Sequence, residues 1–178
     1  MCSCRFLLFN KQGEVVNSHQ IEMTQIYPNP GWLEHLPSEI NNLVNQCIEN
    51  VMKDYKNEEV VSIGITNQRE TLVVWDKITG QPLYNAIVWS DSRTTEVVNE
   101  TIQQFHGDTD YFRNTCGLPI STYFSAMKFK WLMANVPEVK QAVEEKRALF
   151  GTVDTWLTWN LTGGVNGGIY TCHIHTNT

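Results

Sequence analysis

The sequence is short of basic residues, of long apolar runs and of paired cysteines, and each shortage removes a class of function. Thirteen lysines and arginines stand against 19 aspartates and glutamates, a formal charge of −6. With no basic stripe to offset that balance, a nucleic-acid partner held through phosphate contacts is not expected. The longest apolar runs, such as Phe6-Leu7-Leu8-Phe9, fall far short of the roughly 20 residues a helix needs to span a bilayer. The N-terminus has no charged segment followed by a long apolar one, so neither a membrane span nor a signal peptide is expected. The five cysteines, Cys2, Cys4, Cys47, Cys116 and Cys172, are odd in number and scattered beyond the first two, which suits reduced thiols rather than a disulfide framework. Cys2-Ser3-Cys4 has no second pair at zinc-site spacing, and His173 and His175 near the C-terminus have no third ligand, so no metal site is expected. A cytoplasmic protein is the default, in which the sequons at Asn99 and Asn160 have no consequence.

What is present is enough for a core. With 178 residues, 42% of them hydrophobic, the chain suffices for one sizeable domain, or one domain plus a fragment. Phe6 to Asn10 and Val15 to Thr24 read as an antiparallel hairpin around the turn Lys11-Gln12-Gly13-Glu14. Two prolines and a glycine make Tyr27 to Trp32 an irregular loop. From Pro37-Ser38 onward, Ile40, Leu43, Val44, Cys47, Ile48 and Val51 recur at helical spacing, with Ser38 as N-cap. Val60 to Thr66, Thr71 to Asp76, Ala86 to Trp89 and Ala148 to Gly151 read as strands. Helices are expected from a Ser90-Asp91-Ser92 cap to about Phe105, over Tyr123 to Asn135, over Glu138 to Lys146 and over Val153 to Leu161, the last capped by Asp154. The glycines between Gly163 and Gly168 lack the Lys-Ser/Thr of a phosphate loop and read as a turn. The order of elements suits a layered α/β domain with a mixed sheet flanked by helices.

The most informative stretch is Thr66-Asn67-Gln68-Arg69-Glu70, directly after the apolar run Val60 to Ile65. Ligands of α/β proteins gather outside the carboxyl ends of strands. There Arg69 would donate along a fixed fork and Glu70 would only accept, a combination suited to two neighbouring hydroxyls. For an isolated Arg-Glu dipeptide a solvated ion pair capping a strand is the commoner explanation, because exposed pairs are common and weak.

Several ordered segments carry a family resemblance: Gly64-Ile65-Thr66-Asn67-Gln68-Arg69-Glu70-Thr71, Val74-Trp75-Asp76-Lys77, Tyr84-Asn85-Ala86-Ile87-Val88-Trp89, Ser121-Thr122-Tyr123-Phe124-Ser125, Phe150-Gly151-Thr152-Val153-Asp154-Thr155-Trp156-Leu157 and the early loop from Tyr27 to His35. Over about Arg5 to Gly168 the chain resembles the glycerol kinases of the FGGY carbohydrate kinase family. The resemblance implies a ribonuclease-H-like, actin-like ATPase fold in two domains. It also implies transfer of the γ-phosphate of Mg-ATP to a terminal hydroxyl of glycerol in the cleft between them. It carries glycerol contacts onto Arg69, Glu70, Trp89 and Tyr123, with the indole covering the carbon chain and the phenol adding a hydrogen bond. By family, attachment to the mitochondrial outer surface accompanies the cytoplasmic setting.

The resemblance also sets expectations about what the chain lacks. Family members open with a strand and an Asp-Gln-Gly-Thr-type hairpin around the ATP phosphates. Here Met1-Cys2-Ser3-Cys4-Arg5 stands in that place, and only Ser3 and Arg5 match polar positions that approach phosphate; a strand-edge role accounts for them equally. The family's catalytic aspartate belongs to a later Gly-Asp-Gln segment, so no catalytic residue is assigned. Residues 5–168 are thus expected to form a partial N-terminal kinase domain, without its first strand and its second domain, and residues 169–178 a divergent tail. Phosphoryl transfer rests on positioning and charge stabilisation, so the chain alone is expected to be inactive or nearly so and to hold ATP and Mg2+ unproductively. An unpaired strand edge would favour a homo-oligomer or association with intact kinase subunits. A role toward another polyol or sugar is the remaining alternative.

Overall fold

The computed structural model describes residues 2–170; the expectations for Cys172, His173 and His175 lie outside them. The opening hairpin forms as the sequence predicts, with β1 (Ser3–Phe9) antiparallel to β2 (Val15–Glu22). Its turn is closed by Asn10, whose Oδ1 accepts from the amides of Gln12 and Glu14. The helix α1 (Pro37–Met52) lies against this hairpin, burying Ile40, Leu43, Cys47 and Val51. The first three pack with Cys4 of β1 and with Phe6 and Ile21 beside it, so the helical period seen in the sequence is the buried stripe. Ser38 does not cap this helix: Leu36 takes the N-cap position without a side-chain bond. Pro37 opens the helix instead, because its fixed φ suits the first turn and its missing N–H would be unpaired there anyway.

Two further antiparallel pairs follow. β3 (Glu34–His35) pairs with β5 (Ala86–Ile87), and β4 (Val73–Asp76) pairs with β6 (Ala148–Gly151). A single bridge between Leu72 and Ile87 joins the two pairs, and another between Trp75 and Pro82 ties β4 to the loop before β5. Pairing is antiparallel throughout the described strands. β4 is the centre of the molecule, and its alternation divides the core. Val73 and Trp75 face a cluster with Val153, Trp156, Leu157 and Trp159, whereas Leu72 and Val74 face one with Leu132, Val136 and Val139. The Trp75 ring centroid lies 5.3 Å from that of Trp156 and 5.7 Å from that of Trp159, each such pair contributing ~0.5–1.5 kcal/mol beyond simple burial.

The remaining helices are α2 (Thr95–Gln104), the single turn α3 (Arg113–Cys116), α4 (Ser125–Asn135), α5 (Pro137–Glu144) and α6 (Val153–Leu161). β6 and α6 meet where Gly151 has no side chain: a Cβ there would come within 2.6 Å of Thr155. The glycine-rich stretch is a 3₁₀ turn over Gly164–Asn166.

Three further expectations are corrected. Val60 to Thr66 is not a strand: no described strand pairs with it, and Val61 is 95% exposed. Its apolar, β-branched composition favours a pleated surface but supplies no hydrogen-bonding neighbour. Ser90-Asp91-Ser92 does not cap α2, which starts at Thr95, because Asp91 is committed to Leu33 and Arg93. Asp154 does not cap α6. It lies inside the first turn, and the Asn67 Oδ1 accepts from its amide at 3.0 Å.

Candidate functional site

The turn from Gln68 to Thr71 joins the exposed Val60 segment to the buried β4, and its conformation is unusual. Glu70 sits at φ 61°, left-handed backbone that costs a non-glycine residue about 1–3 kcal/mol when the surroundings impose it. Those surroundings are visible. Glu70 is 3% exposed, and its Oε2 accepts from the amide of Ser125 at 2.8 Å and from its hydroxyl at 2.9 Å. A carboxylate from a distant turn therefore satisfies the first turn of α4 and complements its dipole. Arg69, next to it, is exposed.

The two aromatic candidates converge on the same corner. Trp89 follows β5, and its amide donates to the Thr71 hydroxyl at 3.2 Å, which ties it to the residue after Glu70. Its ring is half exposed and meets Tyr123 edge to face, centroids 6.0 Å apart. Tyr123 lies two residues before Ser125, the residue Glu70 holds. Of the expected contacts, Glu70, Trp89 and Tyr123 are thus brought together, with Arg69 on the same turn.

Two supporting groups were not found from the sequence. Lys128 on α4 is wholly buried, and its Nζ donates to the carbonyl of Thr122 at 3.0 Å and to that of Tyr123. Burial lowers its pKa to about 8, while the nearby Glu70 and Asp91 carboxylates oppose that shift. Arg93, also buried, pairs with Asp91 and Glu34 at 2.8 Å each and lies 4.0 Å over the Trp32 ring. Burial works against its charge, but the hydrogen bonds to Asp91 and Glu34 prevail and raise its pKa. Asp91 Oδ2 also accepts from the Leu33 amide at 2.6 Å, so this ion network fastens the chain after Trp89 to the early loop. Lone Lys and Arg residues in apolar helices and loops read as surface charges, and only the fold shows them enclosed.

Beside Glu70 lies a cavity of about 450 Å³ lined mainly by Leu72, Leu118, Phe124, Phe129 and Phe150. Arg69, Trp89 and Tyr123 do not line it. Ser3 and Arg5 are on the separate β1–β2 sheet, where Gln20 donates to the Ser3 hydroxyl at 2.7 Å and the Arg5 Nε donates to the Gln20 carbonyl at 2.8 Å. Both are therefore engaged across the hairpin. Among the described residues no group of three or more His, Cys, Asp or Glu side chains is placed to hold a metal ion.

This corner joins an accepting carboxylate, a guanidinium and two aromatic rings, a set suited to a small polyhydroxyl ligand. The sequence pattern of the FGGY family of carbohydrate kinases, N-terminal domain, matches residues 2–176. The chain belongs to the FGGY family of carbohydrate kinases. It is 48% identical to a glycerol kinase of Arabidopsis thaliana over 178 residues, covering 97% of this chain and 34% of that protein. It is 51% identical to a glycerol kinase of Brucella anthropi over 170 residues, covering 94% and 34% respectively. The crystal structure of Plasmodium falciparum glycerol kinase with ADP superposes with a TM-score of 0.81 at 39% identity, over 91% of this chain and 32% of that one. A xylulose kinase from Rhodospirillum rubrum superposes with a TM-score of 0.78 at 21% identity over 90% and 32%, a likeness of fold. The chain thus spans about a third of the length of the FGGY relatives it matches. No helix among its described residues is long and apolar enough to cross a membrane.

Proposed function

We propose that this FGGY chain carries part of the acceptor site of an ATP:glycerol 3-phosphotransferase, acting in the cytoplasm on glycerol; a mitochondrial attachment is not part of the proposal. The observation that carries this reading is the meeting of Glu70, Trp89 and Tyr123 on the Arg69 turn, in a chain about half identical to glycerol kinases. Arg69 donates to one hydroxyl of the polyol, and Glu70 accepts from its neighbour through Oε1 while Oε2 holds Ser125. The half-exposed Trp89 indole covers the carbon chain, and the Tyr123 phenol supplies a further hydrogen bond. Each charge-assisted bond contributes about 1.5–3 kcal/mol, enough for weak, oriented binding. ATP supplies the phosphoryl group in this reading. Ser3 and Arg5 are the residues here that would approach it, on giving up Gln20. We therefore propose that the chain by itself turns over little or no glycerol. Calorimetric titration with glycerol, beside an assay of glycerol-dependent ADP release, tests both parts: saturable binding without turnover is expected, and turnover at ordinary kinase rates contradicts the second.

The exposed Val60 to Thr66 segment favours a second reading, in which the chain pairs with another kinase subunit through that segment or forms a homo-oligomer. Co-purification with an intact glycerol kinase, lost in Val61→Lys/Ile63→Lys, supports it; no association contradicts it. Action on another polyol or sugar is the third, tested by ranking glycerol against pentitols and ketopentoses in the same titration.

A further inference from the structure

The buried ammonium of Lys128 has no place in the acceptor contacts just described, yet it lies directly beneath them. Its Nζ reaches the carbonyls of Thr122 and Tyr123, in the stretch leading into α4. Within that stretch two further backbone donors make long bonds, 3.3 Å from the Tyr123 amide to the Ser121 hydroxyl and 3.4 Å from the Phe124 amide to the Ser121 carbonyl. Glu70 grips the same stretch one step further on, at Ser125. Residues 122–125 are therefore pinned from two sides by groups of opposite charge, and Tyr123 stands between the two pins. A fully enclosed ammonium is costly to bury, and an apolar side chain of similar length would fill the same space without that cost. What the ammonium adds is directed donation to two carbonyls.

We propose that Lys128 is a positioning residue of the acceptor site, clamping the Thr122 and Tyr123 carbonyls so that the Tyr123 phenol stays edge-on to Trp89 where a polyol is received. This rests on the acceptor reading above. The charged groups acting on Lys128 are Glu70 on the turn before β4 and Asp91 after β5, the latter paired with Arg93. Lys130 on the same helix is instead bonded to Thr101 of α2. Tyr123 itself is the other titratable side chain on the clamped stretch. Because burial brings the Lys128 pKa to about 8, the clamp loses its charge in mildly alkaline solution, and its bonds become the weaker neutral kind.

The test uses the full 178-residue chain, wild type and Lys128→Met, with glycerol as the probe. Wild-type affinity is expected to fall as the pH rises through about 8. Lys128→Met is expected to bind about tenfold more weakly at neutral pH, the scale of one charge-assisted hydrogen bond, with that pH dependence gone. Its resistance to urea is expected to fall modestly, since the Thr122 and Tyr123 carbonyls lose their donor. A merely structural lysine would give that lower stability with affinity and pH profile intact, and an unchanged affinity and pH profile overturn the proposal. Should wild type bind no glycerol at any pH, the acceptor reading fails. Hydrogen exchange at residues 122–125 then decides the clamp separately: about tenfold faster exchange in Lys128→Met supports it, and unchanged exchange overturns it.

Discussion

Val60 to Ile65 and Leu72 to Trp75 are both short, apolar and rich in β-branched residues, and they lie on either side of one turn, yet their fates are opposite. Leu72 to Trp75 is at most 1% exposed at every position and faces two separate core clusters. In the other run, Val61 is 95% and Ile63 59% exposed, and no described strand pairs with it. Both runs carry strand-forming residues; their neighbours differ. β4 has β6 along one edge and the bridges to Ile87 and Pro82, with helices over both faces. Strand propensity measures how well a side chain fits a packed surface that other elements must supply. The candidate site sits on the turn between the two runs, which places Arg69 and Glu70 where buried framework gives way to exposed chain.

This contrast can be broken by substitution. Trp75→Ala removes the ring shared by both tryptophans of α6 and is expected to cost about 3–5 kcal/mol in urea denaturation; a loss below about 1 kcal/mol would mean β4 is not the keystone. Glu70→Ala removes the acceptor for Ser125 and is expected to cost about 1–2 kcal/mol together with glycerol affinity, the effect on stability appearing in the same unfolding curves. A smaller, pH-dependent effect is expected at His35. Its ring is fully buried without a hydrogen-bond partner among the described residues, and burial holds its pKa below the usual 6.5, against the pull of Glu39. Between that lowered value and 6.5 the unfolded chain binds the proton more readily, so His35 makes stability fall as the pH drops below about 6.5. His35→Phe should remove that component, and an unchanged pH profile would count against it. Smallest of all, Val61→Ser should alter stability by less than about 0.5 kcal/mol; a core-sized loss would show that the exposed run is packed in solution and would erase the comparison.

How much of this was readable beforehand depends on how local each cause is. The hairpin, α1 and α6 follow from turn residues and apolar spacing within single segments, and they form where expected. Two failures come from partners far along the chain. Ser90-Asp91-Ser92 has every feature of a helix cap, but Asp91 is drawn to Leu33, 58 residues away. The α6 first turn is met by Asn67, 87 residues away, rather than by Asp154. The site divides the same way. Arg69 and Glu70 stand out as a dipeptide, and the family resemblance singled out Trp89 and Tyr123. The anchoring of α4 by Glu70 and the enclosed Lys128 became visible only once α4 was placed against the turn.

The central claim is that the Arg69–Glu70 turn, with Trp89 and Tyr123, receives glycerol. Titration of the chain with glycerol at neutral pH, followed by calorimetry in wild type and Arg69→Ala, tests it most directly because Arg69 is the exposed member of that turn. Saturable binding that weakens by about tenfold or more in Arg69→Ala is predicted, the loss of one charged hydrogen bond. No saturable binding in wild type, or equal affinity in both proteins, would contradict it.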